Sequence, residues 1–109
     1  TRSQEFILAY TRLKTSIKNP ESISQSDFKV ITDDYNYLKF VLGYIVILYN
    51  ADTIDGCLVK QATEPLISEF LTLLTSFSGI ISNEEVKGDV NQNREKFNNF
   101  LISLNSQNC

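Results

Sequence analysis

Apolar residues recur every three or four positions through most of the chain, the spacing of amphipathic helices. The first run carries Phe6, Tyr10, Leu13 and Ile17, widened by Ile7 and capped by Ser3, and Pro20 stops it near Asn19. A connector over 21–25, containing Ser22 and Ser24, leads to Ser26, an N-cap with Asp27 at the positive helix end. The second helix is predicted to run from there to about Asn50, roughly 36 Å at 1.5 Å per residue. A polar turn over 51–56 ends in Asp55-Gly56. Pro65 suits a first helical turn, which predicts a short piece over 57–62 and a main third helix from Thr63 or Glu64; one kinked helix is the other solution. Leu66, Phe70, Leu73, Leu74, Phe77, Ile80 and Ile81 form its inward face. After a turn over 79–83, Ser82 and Glu85 have capping-box spacing. The fourth helix then turns Val86, Val90, Phe97, Phe100, Leu101 and Leu104 inward, with polar Asn91, Gln92, Asn93 and Arg94 between its apolar halves.

The stretch Tyr35 to Tyr49 is the most apolar, with Lys39 its only charge. Spanning a bilayer needs roughly 20 apolar residues, more than this run provides. Residues 44–49 alone would suit a strand. Over the longer window, Asn36, Lys39, Gly43, Val46 and Asn50 recur at helical spacing as one narrow polar stripe, which predicts a central helix covered from several sides.

Four amphipathic segments with short connections predict an all-α protein, an antiparallel up-down-up-down four-helix bundle over residues 1–109 as a single helical domain. That topology brings the start of the third helix and the end of the fourth to one end, so Cys57 and Cys109 are expected to form a disulfide. Two free thiols in a cytosolic protein are the alternative. With 42% hydrophobic residues the chain can bury roughly two-thirds of its unfolded surface.

Charge is uneven although the net value is only -3. Residues 1–20 hold four basic groups against Glu5, or +3, leaving six basic and twelve acidic groups, or -6, in the remainder. A basic first helix against acidic neighbours is the simplest consequence. No basic run indicates a nucleic-acid surface. The absence of methionine matches a mature secreted form left after removal of a signal peptide, as it would an excised fragment.

Chemistry is sparse. Without histidine there is no Ser-His-Asp or Cys-His system, and the four glycines are isolated, so neither an enzyme, a cofactor nor a metal centre is predicted. Asp33-Asp34 and Glu84-Glu85 read as solvated or helix-start charges. Lys87-Gly88-Asp89 matches an integrin-binding tripeptide but falls in the first turns of a helix. Tyr35, Tyr37, Tyr44 and Tyr49 read as core residues with hydroxyls reaching the surface, or else as the lining of a ligand cavity.

The whole pattern, with the segments YIVILYNADTIDGC and NFLISLNSQNC, resembles the anopheline salivary gland seven family of the albicin and anophensin type. The resemblance implies a secreted, non-enzymatic inhibitor that binds a host plasma protein: the alternative complement pathway convertase for albicin-like members, the contact (kallikrein-kinin) system for anophensin-like ones. A small-ligand carrier, a cell-adhesion antagonist and a helical inhibitor of the invertase class are the other readings. Candidate partner-binding residues are Arg12, Lys14 and Lys18 on the first helix, and Arg94 and Lys96 in the polar middle of the fourth. Neither nucleic acid nor membrane is expected as a partner.

Overall fold

A computed structural model describes residues 2–109, without the side chains of Arg2, Ser3 and Ser22. The expected Ser3 cap and Thr1 lie outside the described groups. Among the described residues are four α-helices, α1 (Arg2–Lys18), α2 (Gln25–Asn50), α3 (Gly56–Ile80) and α4 (Glu84–Asn105), with a 3-10 turn over Pro20–Ser22 and no strand. The all-α class, the four helices and the Cys57–Cys109 disulfide are as expected. Backbone contacts divide the chain into two units, one reaching to Tyr44 and one comprising Ile45–Cys109, and α2 is continuous through the division.

In the first unit α1 and α2 form an antiparallel hairpin, with Arg12 opposite Asp34 and Ser16 and Asn19 at the level of Asp27 to Ile31. Ala9 and Leu13 of α1 are buried, as are Ile31, Tyr35, Leu38 and Leu42 of α2, whose three- and four-residue spacing marks one helix face. Ile7 does not widen the α1 stripe: it is 62% exposed, and Ala9 takes the inward position. The start of α2 also differs from expectation. Ser24, not Ser26, caps it: its hydroxyl accepts from the Asp27 N–H at 3.2 Å, and the Asp27 carboxylate accepts from the Ser24 N–H at 3.3 Å. This reciprocal pair satisfies two backbone donors, which a cap at Ser26 could not do with Asp27 as its neighbour.

The outward face of α2 is the largest departure. Gly43 and Val46, expected on a polar stripe, are buried, while Phe40 is 75% and Tyr44 57% exposed. A helix apolar over most of its circumference has several faces able to go inward, and packing selects the one that offers Tyr35, Leu38 and Leu42. The large apolar residues on the opposite side are then left outside.

In the second unit α3 and α4 are antiparallel along their whole length: Cys57 bonds Cys109, Lys60 Nζ donates to the Gln107 carbonyl at 3.3 Å, the Phe70 and Phe97 rings meet edge-on at 5.5 Å, and Ser78 meets Asn91. Phe70, Leu74 and Phe77 of α3 and Val90, Phe97 and Leu104 of α4 are wholly buried, on the faces their periodicity predicts. The third helix is neither split nor begun at Thr63. It starts at Gly56, with the Asp55 carboxylate accepting from the Cys57 and Leu58 N–H groups, and runs through Pro65. Proline leaves the carbonyl four residues earlier without its usual donor. Here that residue, Gln61, is exposed, as is Pro65, so water can serve the carbonyl. At α4 the cap is Asn83, not Ser82: its side-chain oxygen accepts from the Glu85 and Val86 N–H groups at 3.0 and 3.1 Å.

Tyr49, near the end of α2, closes this unit at the disulfide end. Its ring meets Phe100 edge-on at 5.3 Å, its hydroxyl lies 3.2 Å from Ser103 Oγ, and it accepts from Gln107 Nε2 at 2.6 Å. The Gln107 side chain lies over Gly56, where a Cβ would come within 3.0 Å of it.

Two expectations follow. Phe97→Ala should cost about 3–5 kcal/mol and Phe40→Ala no more than about 0.5, read as urea-denaturation midpoints at constant m, because the same deletion leaves a cavity at one site and nothing at the other. Replacing both cysteines with serine should lower the unfolding free energy by up to about 4 kcal/mol, the chain-entropy value for a loop of this length.

Candidate binding surfaces

Two open grooves and one outward helix face carry the chemically distinctive side chains. The first groove, about 370 Å³, lies along the α1–α2 hairpin and is lined by Thr11, Arg12, Thr15, Ser16 and Asn19 from α1, and by Ile23, Asp27, Val30, Ile31 and Asp34 from the connector and α2. Its charged feature is a side-on pair: Arg12 Nη2 donates to Asp34 Oδ1 at 2.7 Å and Arg12 Nε to Oδ2 at 2.9 Å. The two partners are unequally placed, Arg12 being 48% exposed at its side chain and Asp34 only 6%. Hence the Asp33-Asp34 doublet, expected on the surface, divides: Asp33 is exposed and Asp34 is buried. A buried carboxylate needs a counter-charge and hydrogen-bond donors, and one guanidinium edge supplies both. Hydrogen bonding to Asp34 raises the Arg12 pKa above its ordinary value, partial desolvation opposes this, and the charge attraction adds to it. Because the shift is upward, the associated stabilisation is fully present below the ordinary arginine range and is lost only in strong alkali.

The second groove, about 500 Å³, lies between α3 and α4 and is polar, lined by Leu71, Thr75, Asn91, Arg94, Glu95 and Asn98. A short relay crosses it. Ser78, buried on α3, donates through Oγ to Asn91 Oδ1 at 3.0 Å, and the same oxygen accepts from Arg94 Nη1 at 3.1 Å. The antiparallel register places these groups together, since Ser78 and Asn91 face each other across the hairpin.

The five basic residues named from the sequence occupy different settings. Arg12 is committed to Asp34, Lys14 is half-buried, and Lys18 is exposed in the last turn of α1, where a cation meets the negative helix end. Arg94 belongs to the polar groove, and the Lys96 ammonium lies 5.7 Å from the centre of the Phe97 ring. Lys87, Gly88 and Asp89 lie inside α4, so the tripeptide is held in helical geometry.

Sequence reasoning missed the exposed aromatics. Phe40 and Tyr44, one turn apart, stand on the outward face of α2, and Ile47, three residues on, is 60% exposed. Of the tyrosines grouped together from the sequence, Tyr35 is buried, Tyr49 is tied to α4, and Tyr44 faces solvent. The polar side chains Asp33 and Asn36, at the same helical phase as Phe40, were the available signal. Among the described residues no cluster of acidic or sulfur ligands could hold a metal ion, and no helix is long and apolar enough to cross a membrane.

No family model matches the chain, and neither a curated protein nor a solved structure matches it.

The unequal burial of Arg12 and Asp34 makes a thermal prediction. Lys18→Ala should shift Tm by no more than about 3 °C, as exposed substitutions do. Arg12→Ala should lower it further, because it strands the Asp34 charge, and Arg12→Lys should recover only part of the loss, since an ammonium cannot supply the two-pronged edge. Scanning calorimetry of the three variants decides this.

Proposed function

We propose that this chain is a secreted, non-enzymatic binding protein that inhibits the host alternative complement pathway by covering a surface of its convertase. The observation that carries the reading is the outward aromatic pair on α2: Phe40 and Tyr44 add little to the fold where they stand, and aromatics on a rigid helix are the residues that supply most energy at protein interfaces. Supporting it are the resemblance of the whole chain to the salivary family and the disulfide, which suits an oxidising compartment. Inhibition by occupancy needs no catalytic group. It needs a preformed surface, and side chains carried on helices lose little freedom when they dock. A stable complex requires roughly 800 Å² on each partner, so residues around the pair must also take part.

Lysis of rabbit erythrocytes by human serum in magnesium-only buffer isolates the alternative pathway, and antibody-driven lysis reports the classical one. Inhibition of the first alone is the expected result. Phe40→Asp and Tyr44→Asp should each weaken it roughly thirtyfold, the equivalent of about 2 kcal/mol, without lowering Tm. If micromolar protein left both pathways intact, the reading would fail, and kallikrein generation in plasma would be the next assay.

A further inference from the structure

We propose that the α3–α4 groove is a carboxylate seat anchored by Arg94, which receives an acidic side chain of the protein partner. The inference rests on the binding-protein reading for its partner, but not for its chemistry.

Two arginines of this molecule use their guanidinium groups differently. Arg12 holds Asp34 with its Nε–Nη2 edge, two parallel donors matched to two carboxylate oxygens. Arg94 uses its opposite corner, Nη1, on Asn91, and forms no ion pair among the described residues. Its Nε–Nη2 edge, the counterpart of the one that holds a carboxylate on α1, has no acceptor among the described residues. A guanidinium carries five N–H donors, so one bond to an amide leaves most of its capacity unused.

Arg94 is also positioned rather than trailing in solvent. Asn91 Oδ1 accepts both from Arg94 and from Ser78, and Ser78 is buried on the facing helix. With its oxygen so engaged, the Asn91 amide must turn its NH₂ donors away from those two partners. Asn98 and Glu95 complete the polar lining. Glu95 makes the groove selective: a lone anion feels both charges, whereas a carboxylate next to a hydrogen-bond donor satisfies Arg94 and Glu95 together. A protein segment presenting an aspartate or glutamate beside a backbone N–H has that pattern. Ser78 and Asn91 are positioning residues in this scheme and Arg94 is the contact.

The test is an NMR titration of the intact, disulfide-bonded protein, following the Arg94 Nε–H and the side-chain amides of Asn91 and Asn98. The probes are N-acetylaspartate N-methylamide, which offers a side-chain carboxylate beside backbone amides, N-acetylglycine, which offers a chain terminus, and acetamide as a neutral control. The aspartate probe should give saturable shifts at those groups with a Kd on the order of millimolar, as befits so small a molecule, and acetamide none. Arg94→Ala should abolish the shifts. Asn91→Asp should weaken them, because a carboxylate beside Nη1 adds a negative charge that opposes the incoming one. Ser78→Ala should weaken binding several-fold, and Ser78→Thr should restore it. Shifts spread evenly over all basic residues, or survival of the Asn91 and Asn98 amide shifts in Arg94→Ala, would overturn the seat; tighter binding of N-acetylglycine would overturn the assignment to an acidic side chain. In the lysis assay, Arg94→Ala should lose inhibition at least tenfold. Full inhibition by that variant would refute the seat's role while leaving the complement reading intact. If the wild-type chain fails to inhibit, the complement reading falls and the titration alone judges the seat.

Discussion

The bond between Cys57 and Cys109 restrains which residues of α3 can meet which residues of α4. It ties the first turn of α3 to residue 109, and cross-helix contacts in this unit run in the matching register: Lys60 with Gln107, Phe70 with Phe97, Ser78 with Asn91. A slip of one residue along either helix would rotate its inward side chains by about 100°. Phe97 would leave the Phe70 ring and Asn91 would leave Ser78. The covalent tie and the hydrophobic pattern select the same register, and agreement between levels of this kind gives a sequence one structure. Tyr49 and Gln107 reinforce that end, joining the last turn of α2 to the tail beside the disulfide.

Two buried polar groups show how the molecule manages charge. Asp34 is answered by a guanidinium that gives it a whole edge, so the pair is closed. Ser78 is answered by a neutral amide, which passes one further bond to Arg94 and leaves that guanidinium mostly unspent. The first arrangement serves the fold, because removal of Arg12 leaves a buried carboxylate in need. The second asks little of the fold, since Ser78 retains Asn91 when Arg94 is absent.

How far the sequence could be read depends on the contrast between helix faces. In α3 and α4 the inward positions alternate with polar ones, so Phe70, Phe77, Phe97 and Leu104 announce themselves. In α2 nearly every position after Lys39 is apolar, and periodicity cannot rank faces that look alike. Packing broke the tie by burying Tyr35, Leu38 and Leu42, which turned Phe40 outward and took Gly43 in. Local chemistry misled elsewhere. Serine at 26 and 82 has cap chemistry, yet Ser24 pairs reciprocally with Asp27, and Asn83 reaches two N–H groups. Pro65 argued for a helix start, but its freed carbonyl is on the exposed side, a fact of tertiary placement. The relay from Ser78 to Arg94 was illegible for another reason: it depends on which side chains face each other across α3 and α4, and the expected Cys57–Cys109 pairing does not fix that to the residue.

A side chain that does nothing for folding still has a physical cost. Phe40 offers water most of an aromatic surface, and transferring such a group into an interface is worth about 1.5–3 kcal/mol that the folded chain does not collect by itself. The unused edge of Arg94 is the polar counterpart, a donor pair with no acceptor among the described residues, whose hydrogen bonds would be strong in a desolvated contact. Each is held in place by the fold: Phe40 by a continuous helix whose opposite face is buried, Arg94 by Asn91 and the buried Ser78. Holding a group in one geometry beforehand removes an entropy cost of about 0.5–1.5 kcal/mol per side chain from any association that uses it. The order in these two groups is therefore the structural property most directly convertible into binding.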